Sequence, residues 1–586
     1  MKFNDLFRKK STEEILKHGD ASAEQHTLHK VLTVRDLTFF GIAAILGAGS
    51  FSSLAGAVYN GGPGVILLFV IVGIACGFTA FCYSEFASRI PVAGSAYTYA
   101  YVSFGEMFAW IIGWALLMEY SIGNIYVAYS WSDYFTSLMG RCGVEMPSYL
   151  CTSYLEAKKA FADGSQNKEL IDAWTSAPIV GGLRIIFDLP AILINILITY
   201  LVYRGVKESR NFSNVMVMLK MIVIGIVILV GGYLVFKNGL TFNWHPENKE
   251  GVHSFMPNGF GGIMLAVSGV FFAYIGFDAV SVLAEESKNP QRDLPRGMIY
   301  SLVICTVVYI LLSLVLTGAV NYLKFDGVGD PLAFIFEPEN LNVGWMQTLV
   351  ALCAVVAMSS VLLVFQMGQP RIWLSMSRDG LLPAKFREIH PKYKTPKFST
   401  ILTGMIVGIP LLFTDKTFVL DFTSIGTLFA FVLVCGGVLL IPRRPREKGK
   451  FHLPYINSNF IYPIMLVASA LIVYFKTKHF QEITSFDFTG VEEYTNGKKT
   501  FMDLATPKIA SLIFWFVCVI LAVFAWIKKF SLIPLLGLVS CLYLLTGMTK
   551  ENWAWFLCWL LIGLVVYLLY GFRKSRLAKP PSPQNH

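Results

Sequence analysis

Long apolar runs, each bounded by a short polar stretch, recur along the chain from Thr38 to Phe572. The hydrocarbon core of a bilayer is roughly 30 Å thick and takes about 20 apolar residues of helix to cross. Fourteen runs meet that need, at 37–59, 64–88, 107–135, 187–203, 212–236, 259–285, 298–320, 346–369, 398–413, 418–441, 460–475, 509–527, 530–547 and 552–571. Those at 187–203, 398–413 and 460–475 are short, and their edges are loosely defined. Composition agrees: of 586 residues, 55% are apolar and only 15% charged, where a soluble domain carries about a quarter. The pattern predicts an all-α, multi-pass membrane protein.

Lys and Arg orient it. With the N-terminus inside and the runs alternating, 32 of the 48 basic residues fall in the inner loops and tails and 15 in the outer loops, and Lys220 alone lies within a run. This is the asymmetry of the positive-inside rule, and it places both termini in the cytoplasm. The net charge of +10 is then a signature of orientation, not of nucleic-acid binding. The opening stretch has no apolar core directly after its basic residues, so it reads as a tail rather than a cleaved leader. The histidines all fall in tails or loops without metal-ligand spacing, and no HExxH, CxxC or GxxxxGK[ST] occurs, so neither a metal nor another cofactor is expected. Cys142 and Cys151 share the outer loop 136–186, and whether they pair is left open.

Two runs carry an interruption where a helix is otherwise obligatory. The first reads "LTFFGIAAILGAGSFSSLAGAV", with Gly47-Ala48-Gly49-Ser50 at its centre; the sixth has Gly269 and then Ala273-Tyr274-Ile275-Gly276. Glycine costs roughly 1 kcal/mol against alanine in a helix interior. In lipid, freed peptide groups are tolerated only where protein or a water-filled cavity surrounds them. The N-terminus of a half-helix then offers N–H groups to a carboxylate, and the C-terminus of the half before it offers carbonyls to an ammonium or a cation. A glycine face for close helix packing is the competing reading of either run alone. Breaks at matching places in two five-helix halves, 37–236 and 259–441, instead point to an inverted-repeat transporter with discontinuous first and sixth helices, followed by four additional helices over 460–571. Tails at 1–36 and 572–586 complete the division.

Three ionisable residues lie deep in the runs: Glu119, Lys220 and Asp278. Such residues face a cavity or one another, because a charge at the bilayer centre costs at least a few kcal/mol. Glu119 is either a structural hydrogen bond between helices or part of a proton path. Lys220 either exchanges a proton during a transport cycle or is held in a permanent ion pair with a carboxylate such as Glu119. Asp278 either faces a distal charge on the solute or caps the helix after the break.

At these residues the chain resembles the amino acid–polyamine–organocation transporters, and most closely their cationic amino acid transporter branch. "GIAAILGAGSF" is similar to that branch's pattern GIGxIIGAGIF, and "FCYSEFASRIPVAGSAYTYAYVSFGEMFAWIIGWALLMEY" follows it through the second and third helices. "FFAYIGFDAVSVLAEESKNPQRDLPRGM" and "QPRIWLSMSRDGLLP" match its sixth helix and the segment after its eighth. Ala43, Leu46 and Ser50 depart from the pattern, and Ser50 adds a hydroxyl beside the site. The resemblance implies fourteen spans and a secondary transporter of α-amino acids in the plasma membrane. The solute's carboxylate would meet backbone amides at Gly47, Ala48 and Gly49, and its α-amino group carbonyls near Ile45 and around Phe271, Ala273 and Tyr274. It also implies that Lys220 stands where other relatives of the fold bind sodium, that Glu119 is a family carboxylate, and that Ser359 and Ser360 occupy the place of hydroxyl ligands. Protons, not sodium, are then the expected partner. Proton symport, exchange of one amino acid for another, and binding without transport as a sensor are the readings in play. A cationic and a neutral substrate both fit.

Overall fold

The structure is a computed structural model that describes residues 8–10, 32–47, 49–90, 95–164, 167–204, 210–247, 251–393, 395–445, 447, 450–476 and 501–578. Ala48 and most of the two tails lie outside the described residues.

The first run is split into α1 (Val34–Ile45) and α2 (Leu54–Gly61), joined by a π-helical turn at Gly49–Ser53. The Thr33 amide donates to the Asp36 carboxylate (2.9 Å), closing the N-terminus of α1 as a capping box does. There follow α3 (Val65–Arg89), α4 (Ser95–Ser103) and α5 (Glu106–Arg141). The last runs a further turn and a half beyond the apolar run that predicted it, so the outer loop begins later than expected. That loop carries α6 (Tyr154–Ala162), α7 (Lys168–Ser176) and a two-stranded hairpin, β1 (Ile179–Val180) and β2 (Leu183–Arg184), with Val180 opposite Leu183. Next come α8 (Leu189–Arg204) and α9 (Arg210–Lys237).

The sixth run is also divided. It forms α10 (Gly259–Leu265) and α11 (Val267–Phe272), an irregular turn, and a 3₁₀ segment at Asp278–Glu286. Then follow α12 (Pro290–Ala319), α13 (Gly344–Arg378), α14 (Lys397–Gly408), α15 (Lys416–Leu440), α16 (Ile461–Lys476), α17 (Phe501–Lys528), α18 (Leu532–Leu545) and α19 (Lys550–Val566).

Among the described residues, eight helical stretches are long and apolar enough to cross a bilayer, and four further apolar helices are shorter. The stretch Val34–Arg89 takes in two of the predicted runs, and the sixth run is missing from both sets because neither of its halves is long enough.

The centre of the molecule is built by α5 against α13 and α15, and by α12 against α3 and α1. Small residues set these distances. A methyl at Gly123 would meet Phe365, and one at Gly368 would lie 2.5 Å from the Tyr120 ring. The outward sides of the surrounding helices are apolar and exposed, as at Leu193 on α8 and Leu229 on α9, which suits hydrocarbon. The last helix is tied to the core by reciprocal bonds: Trp114 Nε1 donates to the Trp559 carbonyl (2.9 Å), and Trp559 Nε1 donates to that of Trp114 (3.0 Å).

Candidate functional site

The two interruptions meet. In α1 the ordinary helical bonds stop at Leu46, whose amide still donates to Ile42. Gly47 then donates to the Ile45 carbonyl only two residues back (2.9 Å), a tight turn that leaves the helical ladder. The Gly47 carbonyl in turn accepts from the Ser50 and Phe51 amides and from the Ser50 hydroxyl (3.1 Å). In the sixth run, Tyr274 donates to Phe271 and Ile275 to Phe272, both three residues back, and Gly276 takes φ +118°, a conformation side chains rarely adopt.

At the crossing point Gly49 lies so close to Ala273 that an added methyl would sit 2.6 Å from the Ala273 Cα. The predicted void is therefore not found between the two breaks themselves. Absence of a side chain at Gly49 lets backbone meet backbone, and the open space begins about one turn further along.

The exposed carbonyls are satisfied by two side chains. Lys220, 2% exposed, donates its ammonium to the Ala43 carbonyl (3.0 Å) and the Leu46 carbonyl (2.9 Å), capping the C-terminal end of α1. A cation suits that place, since the end of a helix carries partial negative charge. The Tyr309 hydroxyl of α12, which the sequence reading missed, donates toward Ile45 O (2.9 Å) and Ala273 O (2.7 Å), one from each interrupted segment. Its ring stacks on Phe69 at 5.3 Å. Tyr274 donates its own hydroxyl to the Phe69 carbonyl (2.8 Å), which holds this aromatic group together. A lone tyrosine in an apolar helix gives no sequence signal; only the fold brings it between two breaks.

Of the remaining candidates, Glu119 and Asp278 line one cavity of about 10 Å³ with Gly276, Tyr120, Phe365 and Thr423, at the lower limit for a single water. Glu119 is thus a neighbour of Asp278, while the Lys220 ammonium is directed at the α1 carbonyls. Asp278 is buried and opens the 3₁₀ segment after the break, where the N-terminal position is held by Phe277. Phe271 lies buried beside the site. Ser359 donates to the Val355 carbonyl (2.8 Å) and accepts from Trp131 Nε1 (2.9 Å), and Ser360 donates to Ala357 (2.7 Å), so both hydroxyls are used by neighbouring helix groups. The link from α13 to α1 is made instead by Val361, against Gly47.

A cavity of about 970 Å³ runs from Ser52, Ser53, Tyr126 and Gly269, beside the breaks, to the loops that carry α6 and α7. Eight acidic residues line it, among them Asp133, Glu156, Asp188, Asp330 and Glu337, against two basic ones, Arg141 and Lys416. Lys416 pairs with Asp133. Burial pushes Glu156 and Asp330 up to about 7. Asp188 accepts from Ser132 Oγ (2.6 Å) and the Ala191 amide (2.9 Å).

Away from this cavity, Lys10 donates to Asp379 (2.5 Å) and Tyr97 to the other Asp379 oxygen (2.6 Å), joining the N-terminal tail and α4 to the end of α13, and Glu85 holds Arg89 within α3 (2.7 Å). Cys142 and Cys151 are free thiols.

Comparison with known sequences identifies the family. The amino acid permease family matches residues 32–486, and the description "C-terminus of AA_permease" matches residues 531–575. The chain is 33% identical to the branched-chain amino acid permease BcaP of Bacillus subtilis (strain 168), over 98% of this chain and 99% of that protein. It is 37% identical to the methylthioribose transporter of the same organism, over 80% and 91% respectively. With the vacuolar cationic amino acid transporter 2 of Arabidopsis thaliana it shares 30% identity over 96% and 92%.

Proposed function

The chain belongs to the amino acid permease family, and we propose that it is a secondary transporter that moves α-amino acids by alternating access, coupled to protons. One observation carries the reading: carbonyls of two interrupted helices, Ile45 and Ala273, converge on a single donor, about one turn from where Ser52, Ser53 and Gly269 line a large cavity. A zwitterion's ammonium fits those carbonyls, and its carboxylate is assigned to the Gly49 amide at the start of the Gly49–Ser53 turn. Fourteen spans in a five-plus-five inverted repeat with four added helices, cytoplasmic termini and a plasma-membrane location complete the proposal. The open cavity is then the outer vestibule and the Lys10–Asp379 face the cytoplasmic seal, an outward-facing arrangement.

Proton coupling is assigned to Lys220, whose two carbonyl acceptors lie on the broken end of α1. Gain or loss of its proton would change how firmly that end is held, and Glu119 beside Asp278 is proposed as the second carrier. The acidic vestibule favours a cationic side chain on the substrate, because a low-dielectric cleft of one sign concentrates the opposite charge.

Uptake of labelled L-arginine and L-leucine into proteoliposomes, with and without an acid-outside gradient, tests the reading. Accumulation stimulated by outside acid is expected. Uptake that requires an internal amino acid and ignores the gradient would favour an exchanger, and binding without uptake a sensor.

A further inference from the structure

The phenol of Tyr309 stands at a point where chemistry is contested. Its oxygen lies 2.9 Å from the Ile45 carbonyl and 2.7 Å from that of Ala273, and the residue is fully buried. An ammonium nitrogen bonding both carbonyls would stand at the same distances from the same two oxygens, and Gly49 packed on the Ala273 backbone leaves little room beside the phenol for a second donor. The donors also differ in number. A phenol has one proton, which it can give fully to only one of two acceptors at a time. An ammonium has three, enough for both carbonyls with one to spare, and charge-assisted hydrogen bonds are roughly twice as strong as neutral ones.

Surrounding residues keep the phenol in position. Phe69 stacks beneath its ring, Tyr274 packs edge-on at 5.6 Å, and an added methyl at Gly49 would lie 3.2 Å from its hydroxyl. Buried carbonyls left without a donor are costly. A residue that satisfies them in the closed arrangement, and yields to a better donor, therefore serves two ends. It holds the two broken segments together, and it yields only to a stronger donor.

We propose that Tyr309 is a specificity-determining residue whose hydroxyl is the built-in stand-in for the substrate's α-ammonium, displaced when an amino acid binds. This rests on the reading that the amino group of the substrate meets Ile45 and Ala273. Competition of this kind has a sign opposite to that of an ordinary binding residue: removing the hydroxyl tightens the binding of amino acids.

The test uses the full-length protein purified in detergent. Dissociation constants are measured for L-arginine and L-leucine, and for 5-guanidinopentanoate and 4-methylpentanoate, which lack the α-amino group. In Tyr309→Phe, whichever amino acid the wild type binds is expected to bind about fivefold more tightly, the worth of one competing hydrogen bond, with its des-amino counterpart unchanged. The ligand-induced rise in melting temperature is expected to grow in parallel. Phe69→Leu keeps the hydroxyl but removes the stacked ring, and is expected to shift affinity the same way to a lesser degree. It remains decisive should Tyr309→Phe fail to fold.

Weaker or unchanged amino acid binding in these variants, or equal tightening for the des-amino acids, would overturn the assignment of Tyr309 while leaving the transporter reading intact. A wild type that does not distinguish amino acids from their des-amino counterparts would overturn both.

Discussion

Lys220 illustrates how a residue's role depends on what its charge meets. Buried against the end of α1, it offers its protons to two backbone carbonyls. Neutralising that ammonium would leave the carbonyls with poorer donors and loosen the broken end of α1. We expect Lys220→Ala to abolish accumulation driven by a pH gradient while preserving most of the binding, as read by uptake and by ligand titration. Accumulation at the wild-type level would contradict the coupling role. This residue was legible in the sequence, since a lone lysine inside an apolar run has few explanations. Its partner was not: the sequence offered Glu119 as readily, and only the fold aims the amine at peptide carbonyls. Tyr309 was invisible for the converse reason, because a tyrosine in an apolar helix of a membrane protein is unremarkable until its hydroxyl is placed.

Among the elements, the interruptions were the most legible feature. Gly47, Gly49 and Gly276 mark them in the sequence, and each proves necessary in space. What the sequence did not convey is that the gap closes. A glycine can signal either room for a ligand or room for another backbone, and at Gly49 it is Ala273 that fills the place. Gly276 is the sharper case, with φ +118° and an added methyl 2.8 Å from the Ala44 Cβ. Gly276→Ala should cost about 1–3 kcal/mol, the usual range for a residue forced into a sparsely populated backbone region. A lower melting temperature in detergent, together with weakened amino acid binding, is the expected result. Unaltered stability would mean that the sixth run is not held in this turn. The loop helices α6 and α7 escaped the reading because they are short and carry no apolar run, and hydropathy over a membrane-spanning length passes them over.

Over the whole molecule, the large cavity is the most strongly charged feature, with eight acidic residues in its lining against two basic ones, and in the proposed arrangement it is the outer vestibule. Asp330 and Glu156, held near 7 chiefly by burial, are largely neutral in mild acid and ionise as the pH rises through neutrality. The vestibule therefore gains negative charge across that window. A cationic substrate should benefit and a zwitterionic one should not, so the KM of L-arginine relative to that of L-leucine is expected to fall several-fold between about pH 6 and pH 8. Asp330→Asn with Glu156→Gln should flatten that ratio without changing the response of L-leucine to a pH gradient. A pH-independent ratio in the wild type would remove the vestibule from substrate selection.

The measurement that bears most directly on the account is a structure of the protein solved with a bound amino acid. The account predicts its ammonium within hydrogen-bonding distance of the Ile45 and Ala273 carbonyls, its carboxylate at the Gly49 amide, and the Tyr309 hydroxyl moved off at least one of the two carbonyls. An amino acid lodged elsewhere, with Tyr309 still bonded to both segments, would contradict it.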